Sequence, residues 1–304
     1  MVSLKRALRY LRYNQSQFCD SFVKKFLQFL PDKMYLSLRF RCQMGYWMNW
    51  KAPKTFSEKL QWLKVYDRKP EYTKFVDKYS VKDHVASILG EEYIIPTLGV
   101  WDSPEDIDWS ILPEKFVLKT THGGGSTGVV ICKDKNSFDK ESAVAKLMQS
   151  MRSDIYKGLR EWPYKDVNPK ILAEKYIADD NMLDLPDYKI FTFNGEPQFC
   201  QVIAGRDYVM TVDFYDLEWN HQPFHEPRNT DFAPKAHERP VNFDKMLEFA
   251  ALLANGTSFL RVDFYDVNGK VYFGELTFFP TSGFGGFDPV EWDAIFGSWI
   301  QISN

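Results

Sequence analysis

The stretch that most constrains this chain is Leu260 to Pro280, where two runs rich in β-branched and aromatic residues flank Asn268-Gly269. That pattern predicts a β-hairpin. Alternation puts Arg261 and Asp263 on one face of the first strand, and Glu275 and Thr277 together on the second. Whether the two sets meet depends on the turn. A two-residue Asn-Gly turn pairs Asp263 with Gly274 and sends Glu275 to the opposite face. A three-residue loop, Val267-Asn268-Gly269 with Gly269 left-handed, pairs Arg261 with Glu275 and Asp263 with Phe273. All four polar groups then point the same way, and the longer loop is the expectation. Asp263, Glu275 and Thr277 would form a hard-oxygen site suited to magnesium shared with phosphate oxygens.

A second constraint is the glycine-rich run His122-Gly123-Gly124-Gly125-Ser126-Thr127-Gly128, between the predicted strands Phe116–Thr121 and Val129–Ile131. Glycines let backbone N–H groups approach phosphate oxygens closely. No Gly-Lys-Ser/Thr closes the run, so it is not a P-loop. A strand follows it where a dinucleotide fingerprint needs a helix. Lys119 precedes it on a strand, from which a lysine reaches over the loop to the α- and β-phosphates.

The rest of the chain alternates helices with hairpins. Thr55-Phe56-Ser57-Glu58 has capping-box spacing and opens a helix through Tyr66. One helix is expected from Tyr72 to Leu89, ended by Gly90, another from Asp139 to Tyr156, and a third from Met246 to Ala254. Ile171–Ile177 reads as a strand, and Asp187–Phe193 with Gln198–Ile203 as a hairpin around Asn194-Gly195. Strands joined mainly as hairpins, with helices between, predict an α+β fold with antiparallel sheets. Val212-Asp213-Phe214-Tyr215-Asp216 echoes Val262–Asp266 but lacks a following Glu-x-Thr strand, so it ranks below it as a metal site. His221 and His225, with Pro223 between them, read as loop or acceptor-site residues.

Charge sets the N-terminus apart. Residues 1–54 carry eleven Lys or Arg against two acids, a net +9, while the remainder carries −12. Leu4, Leu8 and Leu11 mark one amphipathic helical run, and Phe22, Phe26, Phe29 and Leu30 a second. Two readings stand side by side: a helical cap on the main body, and peripheral contact with an anionic inner-membrane surface. No nucleic-acid motif accompanies the charge, so nucleic acid is not an expected partner. No apolar run approaches the ~20 residues of a membrane span, and no secretory signal is apparent. Cys19, Cys42, Cys132 and Cys200 form no CxxC pair and lie far apart, which argues against zinc and disulfides and for a reducing cytoplasm.

The order of motifs resembles the ATP-grasp superfamily: a strand lysine, a glycine-rich hairpin loop, Glu174-Lys175-Tyr176-Ile177, Asp187-x-Lys189, Arg261-x-Asp263 and Glu275-x-Thr277. More narrowly, Thr55–Leu63, Lys119–Gly123 and Gly274–Pro280 resemble its TupA-like branch, associated with teichuronopeptide and other surface-polysaccharide synthesis. The resemblance covers roughly residues 55–300. It implies an ATP-grasp fold with a basic helical segment (1–54), a pre-ATP-grasp region (55–115), a subdomain carrying the glycine-rich loop (116–180) and one carrying the metal site (181–304). It also implies ATP and magnesium as ligands. Lys119, Lys189 and either Lys78 or Lys82 would bind phosphates, and the loop with Gly123, Gly124, Gly125, Ser126 and Thr127 would close over them. Glu174 would accept from the adenine amino group, Lys175 and Ile177 would meet the adenine edge, and Asp180 the ribose. Asp263 and Glu275 would bind magnesium, with Thr277 where most ATP-grasp ligases have Asn. Arg261 would stabilise developing charge, and His122 would lie near the γ-phosphate. The implied activity is an ATP-dependent carboxylate–amine ligase joining a uronic acid of a surface polysaccharide or its precursor to an amino acid or amino sugar. A sugar kinase or a glycosyltransferase of the same pathway is the alternative.

Overall fold

The computed structural model describes residues 16–125, 127–179, 184–206, 208–226 and 232–302. Ser126, Asp180 and the Leu4/Leu8/Leu11 run lie outside the described residues. Residues 16–26 form helix α1, followed by α2 (Asp32–Met44), α3 (Phe56–Tyr66), α4 (Tyr72–Val76) and α5 (Ser80–Leu89). The first sheet contains β1 (Thr97–Trp101), β2 (Phe116–Thr120), β3 (Val129–Cys132) and, after α6 (Lys140–Met151) and α7 (Ile155–Leu159), β4 (Ile171–Lys175). The second contains β5 (Asp187–Phe193), β6 (Glu196–Ala204), β7 (Thr211–Tyr215), β8 (Phe259–Val267) and β9 (Lys270–Thr277). Helix α8 (Phe243–Ala254) precedes β8, and α9 (Glu291–Trp299) follows β9. Strand orders are β1-β4-β2-β3 and β7-β6-β5-β8-β9, and every neighbouring pair is antiparallel. The α+β expectation holds.

The second sheet is the centre of the main core. Alternation gives one face to Ile190, Val202, Val262 and Phe264, against which Met246 and Ala250 of α8 are buried. The other face carries Lys189, Asp263 and Glu275 at one level. At the next it carries Phe191, Phe193 and Phe199, which stack with Phe56 of α3 and Phe296 of α9.

Four local expectations need correction. The chain from Tyr72 to Leu89 is two helices, not one. Asp77 Oδ1 accepts from Tyr79 N and Ser80 N, which caps the second helix, while Lys78 N donates to Thr121 O. An Asx cap inside a helical pattern competes with the backbone ladder, and here it wins. Likewise the Asp139–Tyr156 run divides into α6 and α7, because Asp154 Oδ1 accepts from Lys157 N and starts a new cap. Helix α1 ends at residue 26, so Phe29 and Leu30 lie in the turn beyond it. And Cys19 and Cys42 form a disulfide between α1 and α2, with Cα atoms 5.7 Å apart. Sequence separation says nothing of distance once two helices pack, so the spacing argument against disulfides, and for a reducing compartment, falls.

The hairpin corrects the expectation in a more instructive way. Val267 pairs with Lys270, so the turn is the two-residue Asn268-Gly269, with φ of 51° and 73°. That is the positive-φ pair of a type I′ turn. The ladder then runs to Phe264 opposite Phe273 and slips by one residue, so that Asp263 faces Glu275 and Arg261 faces Thr277. Gly274 is the extra residue of a β-bulge. The four polar groups do share a face, but a bulge beside them achieves it, not a longer loop.

Candidate active site

The two sheets approach each other around a cavity of about 750 Å³. Val117, Lys119, Val129 and Ile131 line it from the first sheet, with Glu174 to Asp179 along the strand exit, and Asp187, Arg206 and Tyr265 face them from the second. Lys175 and Ile177, expected at the adenine edge, both lie on this lining. The Lys175 N–H donates to Pro96 O. Asp179 Oδ2 accepts from Asn268 N at 2.9 Å, tying the strand exit to the hairpin turn.

Lys119 and Glu174 stand opposite one another on neighbouring strands. Glu174 is nearly fully buried and binds Lys119 at 2.6 Å and Lys82 at 2.5 Å. Both oxygens of Glu174, the residue expected at the adenine amino group, hold lysines. Burial pushes its pKa up, but the two ammonium groups outweigh that and hold it below the usual range. Burial works against the charge of Lys119 as well, yet Glu174, Glu275 and Asp187 raise it. Lys82, which also donates to Ile95 O and Thr97 Oγ1, is lowered by burial.

The structure separates Lys78 from Lys82, which spacing could not. Lys78 occupies the break between α4 and α5, where its Nζ donates to Gly123 O and lies 3.8 Å from Glu275 Oε2. Lys82 anchors Glu174. The loop itself is closed by Thr120 N donating to Gly128 O at 2.9 Å. Gly124, Gly125 and Thr127 lie beyond that pair. His122 departs from the group: its buried ring turns to Ser153 O at 3.2 Å, and burial lowers its pKa. It does not reach the carboxylates.

On the second sheet Arg261 is the hub. Its Nε and Nη2 each donate to Asp263 at 2.7 Å, and Nη2 also reaches Glu275 Oε1 at 3.1 Å and Thr277 Oγ1 at 3.0 Å. Lys189 donates to Asp263 Oδ2. Asp263 is therefore fully engaged, whereas Glu275 Oε2 has Lys78 at a looser 3.8 Å. Burial raises the pKa of Glu275, but Lys78, Lys189 and Arg261 bring it down to about 2. The donor set of two carboxylates and a hydroxyl suits magnesium with phosphate and water oxygens, but Arg261 and Lys189 occupy Asp263, Glu275 Oε1 and Thr277 Oγ1, so an ion would have to take the place of these donors. Among the described residues, no group of three or more His, Cys, Asp or Glu side chains gathers to hold a metal by itself.

Asp187, named in the motif order without a role, belongs to the site. It is buried, accepts from Arg206 Nη2, and lies 3.7 Å from Lys189. The signal was present, since Asp187 and Lys189 alternate onto one face; Arg206, after the Gly205 turn, gave none. The echo at Asp213 is not a second metal pair. Asp213 is held by His221 Nε2 at 2.9 Å and by Ala233 N. His225 pairs through its backbone with Asp288.

A lysine and glycine loop on one antiparallel sheet, and paired carboxylates with an arginine on a second, define the ATP-grasp class. The chain belongs to the TupA-like ATP-grasp family, whose family model matches residues 58–301. No curated protein matches the sequence. Solved structures similar to it include D-alanine–D-alanine ligase from Bacillus anthracis, at 17% identity, 67% of this chain, 56% of that chain and a TM-score of 0.38. The same ligase from Helicobacter pylori gives 15%, 79%, 68% and 0.39, and a RimK domain ATP-grasp protein from Sphaerobacter thermophilus gives 11%, 75%, 69% and 0.41. The chain spans little more than half the length of the first of these.

Proposed function

We propose that the protein is an ATP-dependent carboxylate–amine ligase acting through an acyl phosphate. The observation that carries the reading is the opposition of Lys119, Lys78 and the glycine-rich loop to the Arg261, Asp263, Glu275 and Lys189 cluster. A carboxylate is a poor electrophile. Attack of its oxygen on the γ-phosphorus of ATP forms a P–O bond, breaks the bond to the β-phosphate and releases ADP. An amine then attacks the acyl carbon, the C–O bond to phosphate breaks, and the amine gives up a proton. Lys119 and Lys78 bind phosphate oxygens, and Glu174 keeps Lys119 extended towards them. Asp263 and Glu275, with Thr277 beside them, would hold magnesium, which supplies charge neutralisation on the phosphates. Arg261 and Lys189 face the charge that develops on the acyl carbon's oxygen, and the loop at Gly123–Thr127 excludes water from the acyl phosphate. His122 fastens the base of that loop to Ser153.

The carboxylate we assign is a uronic acid of a surface polysaccharide or its precursor, and the amine an amino acid or amino sugar. This rests on the resemblance to the branch associated with surface-polysaccharide synthesis, and the chemistry is assigned to the cytoplasmic side of the membrane, where ATP is available. The test is to incubate the protein with ATP, magnesium, a uronate and an amine, and to weigh the products. ADP, phosphate and an amide are expected; a phosphorylated sugar hydroxyl would replace the ligase with a kinase.

A further inference from the structure

The segment outside the family match presents a surface that the catalytic reading does not use. Along α1, Phe18, Phe22 and Phe26 follow at helical i, i+4, i+8 spacing, and Phe29 comes in the turn beyond; they are 78%, 49%, 54% and 79% exposed. Soluble monomers rarely expose such a contiguous row. The remainder of the helix is anchored. Cys19 is bonded to Cys42, Val23 is buried, and the fully buried Asp20 accepts from Arg39 Nε at 2.7 Å and Nη2 at 3.1 Å. The phenylalanines therefore face outward from a fixed frame.

The charges around the row identify what covers it. Residues 1–54 contain only two acids. Asp20 is consumed by Arg39 and Lys24, and Asp32 by Arg68 and Arg160. Lys25 is exposed beside the row, with its Nζ 5.4 Å from the Phe26 ring centre. Residues 1–15 add Lys5, Arg6, Arg9 and Arg12 to the sequence and no acid. Hence the outward side of this segment offers aromatics and cations with no exposed acid to balance them. A second copy would set cation against cation. We infer that the α1 face docks onto an anionic lipid bilayer, with the phenylalanines in the acyl–headgroup boundary and Lys25 beside them on the headgroups. The proposal stands whether or not the ligase reading does.

The experiment is co-sedimentation of the full chain with phosphatidylcholine vesicles and with vesicles of phosphatidylcholine and phosphatidylglycerol. Binding to the anionic vesicles alone is expected, weakening about tenfold or more as salt rises from roughly 0.05 to 0.5 M. The combined variant Phe18→Ser, Phe22→Ser, Phe26→Ser, Phe29→Ser is expected to lose about tenfold or more in partitioning, with its melting midpoint unchanged because none of the four is buried. Lys25→Glu is expected to weaken anionic binding and leave the protein folded. Equal binding to both vesicles, or to neither, overturns the proposal. A wild-type dimer in sedimentation velocity that the four serines dissolve would make the row a self-interface and overturn it too.

Discussion

Two buried charge networks among the described residues differ in their surroundings. Lys119 and Glu174, with Lys82 bound to Glu174, border the cavity between the sheets, and Arg261, Lys189, Asp263 and Glu275 cluster on the second sheet, with Lys78 3.8 Å from Glu275 Oε2. In the helical cap, Arg39 spends its donors on Asp20 and Gly158 O, and Lys64 spends its Nζ on Leu159 O, Ser282 O and Ser282 Oγ. The cap network is turned inward: these bonds end on structural acceptors, with Lys64 over the rings of Phe279 and Phe284 and Arg39 over Phe284. Charge burial therefore does not mark a reactive centre. What distinguishes the cleft is an oxygen, Glu275 Oε2, held only loosely by a cation that a ligand can displace.

That contrast predicts different responses of turnover to mutation. Asp263→Asn or Glu275→Gln should lower turnover by about 10³-fold or more and lower the melting midpoint as well, because Arg261 and Lys189 lose a carboxylate partner. Steady-state ADP release and a thermal melt measure the two together. If either variant keeps wild-type turnover, the cleft is not the reactive centre. Arg39→Met should cost stability alone. It strands Asp20 without its main partner, at a cost of roughly 3–5 kcal/mol, or a midpoint lower by about 6–12 °C. Turnover per folded molecule should stay near wild type. Equal losses of activity in both regions would erase the distinction.

The same contrast explains what the chain disclosed in advance. The cleft's residues sit on strands, where alternation assigns a face to each side chain, so Lys119, Lys189, Arg261, Asp263 and Glu275 were legible from motif order and period. The bulge at Gly274 was not, because one extra residue changes register without changing composition. The break at Asp77 was hidden by helical periodicity on both sides. The cap network was illegible altogether: Lys64 and Ser282 lie 218 residues apart, and nothing local says that a lysine on an amphipathic helix will end on a distant carbonyl. The disulfide failed for the same reason.

Titration sharpens the comparison at lower amplitude. Glu275 falls from its ordinary 4.5 to about 2 in the folded protein. A depressed carboxylate contributes stability above its unfolded pKa, lost as pH falls through the folded value. Glu275→Gln should flatten the acid-side slope between pH 4.5 and about 2. Burial lowers Lys64 from 10.5 to about 7, against the opposing pull of Glu161. Its folded state prefers the neutral amine, so its contribution is full above 10.5 and lost as pH falls through about 7. Lys64→Met should remove that slope and leave the acid one. Denaturant midpoints across pH measure both, and a single shared slope would mean that the networks titrate as one.

The smallest expected effect tests the bulge directly. A Cβ on Gly274 would lie 3.0 Å from Asp263 O and 3.3 Å from the Tyr265 ring. That is a tight contact with backbone on one side and a ring on the other, so Gly274→Ala must shift the strand by a few tenths of an ångström. The cost to stability should be about 1 kcal/mol. The shift falls between Asp263 and Glu275, however, and an alignment error of this size matters more to a site than to a core. Turnover should fall by roughly tenfold to a hundredfold, with no comparable change from Gly269→Ala at the distant turn, where the positive φ of 73° costs stability alone. Were Gly274→Ala to match Gly269→Ala in both readouts, the register slip would be a packing detail, and the carboxylates would owe their convergence to Arg261 instead.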